Sequence, residues 1–236
     1  MRALRRGLVV LFVLAVLFVA ADRLAVKLAE DEAAERINSA QGVASTTETS
    51  VEIKGFPFLT QVAAKELDQI DAELSGIKAK SGGSDVTVSR VDAQLQQVRI
   101  GGDFTSAVAD KATGTAFVSY ADLTKAAHEG VRVSWGGKDD NGKGRVKVSA
   151  GIDILGQTFE RSVTSTVSVS KGDTVELHAD KIPGGDIPGL EGAIRERIDF
   201  ARKIAGLPPG LDLERVEATK KGIELSVSGR DVELAN

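Results

Sequence analysis

Aliphatic side chains recur at every second position through most of this chain, and a period of two admits extended strands with one buried face and little else. Val131, Val133 and Trp135 stand opposite Val146 and Val148 across residues 136–144, whose sequence GGKDDNGKG has the composition of a hairpin loop. The same alternation runs through Val51 and Ile53, Val86 and Val88, Val91, Ala93 and Leu95, and Val98 and Ile100. It continues from Val163, Val167 and Val169 into Val175, Leu177 and Ala179 around Lys171-Gly172-Asp173. Val216, Ala218, Ile223, Leu225, Val227, Val232 and Leu234 close the chain around Lys221-Gly222. Strands joined by loops this short pair antiparallel, because a parallel pair needs a crossover of about a dozen residues or more. One segment stays open: Ile70, Ala72 and Leu74 fit a strand face, while Leu67, Ile70, Leu74 and Ile77 fit helical spacing.

Two helical segments interrupt the strands. Residues 120–128 follow Ser119, a capping residue, and form a short helix. Residues 188–205 form a longer one with Leu190, Ile194, Ile198 and Ala205 on one side, stopped by Leu207-Pro208-Pro209-Gly210. The expected fold is therefore α+β, a long curved antiparallel sheet curled around something apolar. A chain of 236 residues with 42% hydrophobic and only 4% aromatic content suits an aliphatic, strand-rich core. Residues 46–236 are assigned to one domain.

The N-terminus fixes location. Arg2, Arg5 and Arg6 precede residues 7–21, a run of fifteen without a polar side chain. This is the build of an export signal, with the arginines on the cytoplasmic side and the rest of the chain translocated. Two outcomes follow for residues 1–21. Signal peptidase can cleave after Ala21, at Val19-Ala20-Ala21, and release the chain to the cell envelope. Alternatively the segment stays as an anchor on the extracytoplasmic face of the cell membrane. Fifteen residues span roughly 22 Å of a hydrocarbon core of about 30 Å. Leu24, Ala25, Leu28 and Ala29 would lengthen the span, with Arg23 and Lys27 reaching back to the interface. Residues 22–45 read as an amphipathic helix and linker, with Leu24, Leu28, Ala34 and Ile37 on one face and Glu30, Asp31, Glu32 and Glu35 elsewhere.

Several chemistries are excluded. Net charge is −4, and setting aside the three N-terminal arginines leaves −7 on the rest, which argues against a nucleic-acid partner. Cysteine is absent, and the two histidines, His128 and His178, lie fifty residues apart. No metal, cofactor or catalytic residue is expected. Residues 137–144 read G-x-x-x-x-G-K-G but lack the Ser/Thr and the following helix of a phosphate-binding loop. Ser75 with Lys78 and Ser168 with Lys171 have Ser-x-x-Lys spacing without the accompanying motifs.

Residues 55–61, GFPFLTQ, are more informative. After the strand ending at Gly55, Phe56, Pro57, Phe58 and Leu59 are consecutive, with Val62 following. Pro57 makes this turn rigid and hydrophobic. Either it plugs one end of the core or it forms an apolar lip against lipid, since four such residues are costly to expose without a partner.

The GFPFLTQ element, a Tyr120-Ala-Asp-Leu123 step, the Leu207-Pro-Pro-Gly-Leu211 turn and a closing Gly222-Ile-Glu-Leu-Ser-Val-Ser-Gly229 strand occur here in order after the basic and apolar N-terminus. Together they resemble the actinobacterial envelope family that includes the mycobacterial lipomannan elongation factor. The resemblance implies an exported, membrane-associated protein that binds phospholipids of the phosphatidylinositide kind and supports lipoglycan (mannan) elongation. It also implies a fold akin to the tubular lipid-binding domains, a curled sheet wrapped around a C-terminal helix. Expected lipid contacts are Phe56, Phe58, Leu59, Val62, Phe117, Leu123, Ile154, Leu155, Phe159, Leu190, Ile194 and Ile198. The alternatives are a non-catalytic scaffold for envelope glycosyltransferases and a hydrolase of envelope lipids or glycans.

Overall fold

The alternating segments are strands. A computed structural model of the chain describes residues 2–39, 48–81, 84–102, 106–127, 130–154, 157–181, 200–203, 207 and 209–235. Within them the order is α1 (Arg2–Ser39), β1 (Glu48–Lys54), α2 (Phe58–Ala64), β2 (Glu66–Ser81), β3 (Ser84–Ile100), β4 (Ala107–Ser119) and α3 (Tyr120–Ala126). There follow β5 (Val131–Lys138), β6 (Gly144–Ile154), β7 (Gln157–Ser170), β8 (Thr174–Lys181), β9 (Phe200–Lys203), β10 (Leu211–Ala218) and β11 (Gly222–Ala235). The chain is α+β, as its pattern requires.

One long sheet was expected and two are found. A large sheet has the order β1-β2-β3-β4-β11-β10, a small one the order β5-β6-β7-β8-β9. Every described pairing is antiparallel. Periodicity identifies a strand but not its partner, and the partner of β4 is β11, with Ser119 opposite Gly222. The small sheet is thus inserted between two neighbours of the large one. The ambiguous segment is β2, where Leu67, Ile70 and Leu74 lie opposite Val98, Leu95 and Val91. Those cross-strand apolar pairs select the extended form. The helix expected over 188–205 falls largely outside the described residues. Its described part, Phe200–Lys203, is strand β9, paired with Thr174–Leu177. The free edge of β8 supplies backbone partners there, which a window on the sequence cannot detect.

Parity gives the large sheet two unlike faces. Val51, Ala72, Ala93, Gly114 and Val227 are aligned across five strands, and so are Glu52, Asp71, Gln94, Thr113 and Ser228 one position along. Successive residues of a strand point to opposite sides, so the first row is apolar and the second polar. Two core clusters sit on the apolar side. In one, Val26 of α1 and Phe58 of α2 pack with Leu67, Val98 and Ala109. In the other, Val146 and Val167 of the small sheet pack on Leu213, Val216 and Ala218 of β10. A Cβ at Gly144 would lie 1.8 Å from the Ala218 carbonyl oxygen, so only glycine allows β6 this close to β10.

Helix α3 ties the two sheets. The Ser119 hydroxyl accepts from the Asp122 amide at 3.1 Å and donates to the Asp122 carboxylate at 2.6 Å, and Ser89 donates to the same carboxylate at 3.0 Å. The Ser119 bond outweighs the opposing effect of burial and, with Ser89 and Lys125, holds Asp122 below the ordinary carboxylate range. Thr124 bonds both the N–H (2.9 Å) and the C=O (3.2 Å) of Val133 on β5. Tyr120 donates its hydroxyl to the Thr219 carbonyl at 2.8 Å. Burial pushes the Tyr120 phenol up from 10.0 to about 12. A raised phenol means the folded chain keeps a proton the unfolded chain loses, so stability is full below pH 10 and falls as pH rises toward 12. Denaturant titrations across this window will show the fall in wild type and a flatter curve in Tyr120→Phe.

Candidate functional site

The apolar segment and the body are one continuous helix. Residues 4–21 of α1 are exposed throughout, and α1 is long and apolar enough to cross a membrane. From Asp22 onward the helix docks. Asp22 and Val26 are buried, and Ala25 and Ala29 pack against the first core cluster. Of the face expected from Leu24, Leu28, Ala34 and Ile37, Ala34 and Ile37 are half-buried, whereas the two leucines do not dock. Leu24 and Leu28 point away from the body, 65% and 69% exposed. A stripe of helical spacing does not say which side meets the sheet, and the small Ala25 and Ala29 permit the closer approach.

This docking covers an edge. β1 is the outermost strand of the large sheet, and the Glu30 carboxylate of α1 accepts from its Ile53 amide at 2.8 Å. Thr49 of β1 donates to Asn38 at 2.5 Å. A covered edge cannot template pairing with another chain.

The turn after β1 is built around Gly55, whose φ of +95° favours glycine. A Cβ there would also fall 2.4 Å from the Asp68 carboxylate and 2.6 Å from the Gln61 amide. Gln61 is buried and bridges two strands, donating to the Lys54 carbonyl at 3.3 Å and accepting from the Asp68 amide at 2.8 Å. The Phe56–Pro57 peptide bond is cis. Phe58 is buried in the core, as a plug would be, while Phe56, two residues earlier, is 59% exposed. Pro57, the N-cap of α2, brings no capping side chain. Asp22 supplies the cap from α1, accepting from the Leu59 amide at 2.8 Å. Its other oxygen takes the Arg23 guanidinium at 2.6 Å, and that guanidinium stands 5.1 Å from the centre of the Phe56 ring. Burial works to raise the Asp22 carboxyl, but the Leu59 amide, Arg23 and the Phe58 amide outweigh it and hold the group below its ordinary range.

Between the two core clusters the apolar face carries a strip of small side chains, the trough. Ala72, Ala93 and Gly114 align across β2, β3 and β4, flanked by the aligned Leu74, Val91 and Ala116. All six are half-buried and belong to neither cluster. On the opposite face is a concavity of about 500 Å³ with five carboxylates along it, Glu52, Asp71, Glu73, Asp92 and Glu214. Lys54 pairs with Glu52 at 2.5 Å and Arg90 with Glu73 at 3.2 Å. The side chains along the concavity are mainly polar, and Ala72, Ala93, Gly114 and Val227 also line it. Among the described residues no group of His, Asp and Glu side chains could hold a metal.

Of the expected lipid contacts, Phe56, Phe58, Leu59 and Val62 come together at the junction of α1 and α2. Leu123 is half-buried on α3. Phe117 lies in register with Thr113 and Thr115 along β4, on the polar face and against Gly222, so it does not join the apolar trough. The side chains of Ile154 and Phe159, and Leu155, Leu190, Ile194 and Ile198 altogether, lie outside the described residues. Asp22, Gln61 and the Ala72–Ala93–Gly114 alignment escaped the sequence reading. Asp22 is the first polar residue after the apolar run, but its partner Leu59 is 37 residues away.

Phe58→Ala will cost about 3–5 kcal/mol of stability in denaturant titration, against no more than about 0.5 kcal/mol for Phe56→Ala. For Asp22 the lowered carboxyl means a contribution present above the unfolded value of 3.8 and lost as pH falls through the folded one. Wild type will therefore melt above Asp22→Asn at neutral pH, and the gap will close as acid is added.

No curated protein and no solved structure matches the chain. A family model does, over residues 20–228, which include the docked part of α1, the trough and both sheets. The chain belongs to the LmeA-like phospholipid-binding family.

Proposed function

We propose that this protein is held at the extracytoplasmic face of the cell membrane by residues 1–21 and shelters phospholipid acyl chains in the trough over β2, β3 and β4. Family membership supports a phospholipid ligand. The observation that carries the location is the alignment of Ala72, Ala93 and Gly114 between two walls, the docked helices on one side and the small sheet on the other. Ala72 and Ala93 are short side chains on neighbouring strands, the Val227 side chain leans over Gly114, and Leu74, Val91 and Ala116 give the strip an apolar border. Each methylene taken from water there contributes about 0.8 kcal/mol.

The finer reading follows the sequence resemblance. It favours a phosphatidylinositide-like lipid, a C-terminal helix in the manner of the tubular lipid-binding domains, and a role in lipoglycan elongation beside envelope glycosyltransferases. The role is binding or transfer, with no bond made or broken by the chain.

The body from Asp22 onward, purified and extracted with organic solvent, will yield phospholipid by mass spectrometry in near-stoichiometric amount. Ala93→Trp, which stands an indole in the trough, will lose most of it while keeping the wild-type circular dichroism. An extract with no lipid above background would sink the proposal, and co-purifying glycosyltransferases without lipid would favour a scaffold instead.

A further inference from the structure

Large apolar side chains remain exposed beyond the membrane-spanning part of α1, and they cluster. Leu24 and Leu28, one turn apart, occupy the side of the helix away from the body, and Phe56 projects from the adjoining turn beneath Arg23. We infer that Leu24, Leu28 and Phe56 form a collar seated in the lipid headgroup layer, which stands the large sheet upright on the bilayer. The inference rests on residues 1–21 being a retained anchor.

Three observations argue for a bilayer as the occupant of this patch. The patch is continuous with the exposed apolar surface of residues 4–21, which a membrane must cover. The helix is also zoned along its length. Residues 4–21 are apolar, residues 23–28 combine two leucines with Arg23 and Lys27, and Glu30, Asp31, Glu32 and Glu35 follow. At 1.5 Å per residue Leu24 stands about 4–5 Å above Ala21 and Asp31 about 15 Å, whereas the headgroup layer is about 5–7 Å thick. Leu24 thus falls within that layer, and Leu28, about 10 Å above Ala21, reaches back toward its edge because helical side chains lean toward the N-terminus, while the acids stay in water. Arg23 and Lys27 lie at phosphate depth, where cations are favoured. Finally, the spans fit, since a snorkelling arginine whose guanidinium lies over an aromatic ring places Phe56 at the same depth.

Orientation follows from how α1 meets β1. Glu30 bonds Ile53 and Asn38 bonds Thr49. Eight helical residues advance about 12 Å and four strand residues about 13 Å, so helix and strand run side by side in opposite directions. The strands of the large sheet are thereby aligned with the membrane-spanning helix. Leu234 of β11 packs in the cluster nearest the bilayer, and Gly222 at the other end of that strand stands about 40 Å farther out.

The test uses the full chain in phosphatidylcholine–phosphatidylglycerol vesicles with lipids brominated either near the headgroup or deep in the chain. Single tryptophans are introduced as Leu24→Trp, Phe56→Trp, Leu14→Trp and Lys221→Trp, and Trp135 gives the same background in all. Shallow bromines are expected to quench positions 24 and 56, deep bromines position 14, and neither position 221. Quenching at 221 as strong as at 56 would mean the body lies flat and would overturn the upright orientation. Quenching at 14 but not at 24 or 56 would overturn the collar and leave the anchor standing. A blue-shifted but unquenched position 56 would assign the patch to protein and likewise overturn it. No quenching at 14 would remove the anchor, and the collar with it.

Discussion

An antiparallel sheet with one apolar face must have that face covered, and six strands are wider than any single element here can cover. The chain meets this constraint from two directions. Helix α1, with α2, closes the β1 margin, and the small sheet closes the β10 margin. Neither reaches the middle. The strip over β2, β3 and β4 is left half-buried because its coverings are anchored at opposite edges.

What fixes the first covering is polar. Asp22 is wholly buried, yet it is satisfied by the α2 amide and by Arg23, so it costs little to enclose and would cost much to leave unpaired. Glu30 fixes the next two turns of helix against the edge of β1. An apolar contact alone would let α1 slide or rotate on the sheet. These two carboxylates set its rotation, and with it which side chains point outward.

Much of the fold was legible in the residues. Alternation located the strands, the Ser119 cap and Tyr120–Ala126 helix appeared as spaced, and the arginine-flanked apolar run announced a helix that stands clear of the body. The expected hairpin at GGKDDNGKG is one, closed by Asp139 accepting from the Asn141 and Lys143 amides. Partnership was not legible. That β11 returns to β4, that β9 is an edge strand and that Asp22 caps α2 all depend on contacts distant in sequence. The candidate site was half visible: GFPFLTQ marked the junction, but only the register shows that Phe58 turns inward and Phe56 outward. Alanines and a glycine at Ala72, Ala93 and Gly114 carry no signal singly. Their meaning lies in alignment across three strands.

The insertion of the small sheet also dictates an order of assembly. β1 to β4 are neighbours along the chain and can zip as soon as they are made. β4 must then wait for its second partner, since Ser119 and Gly222 are paired across about a hundred intervening residues. Throughout that delay a thirteen-residue edge, Ala107–Ser119, has no strand beside it. Such an edge invites pairing with other unfinished chains. Helix α1 precedes β1 in the chain and can cover the β1 edge early, so of the two margins only the one at β4 waits for the C-terminal hairpin.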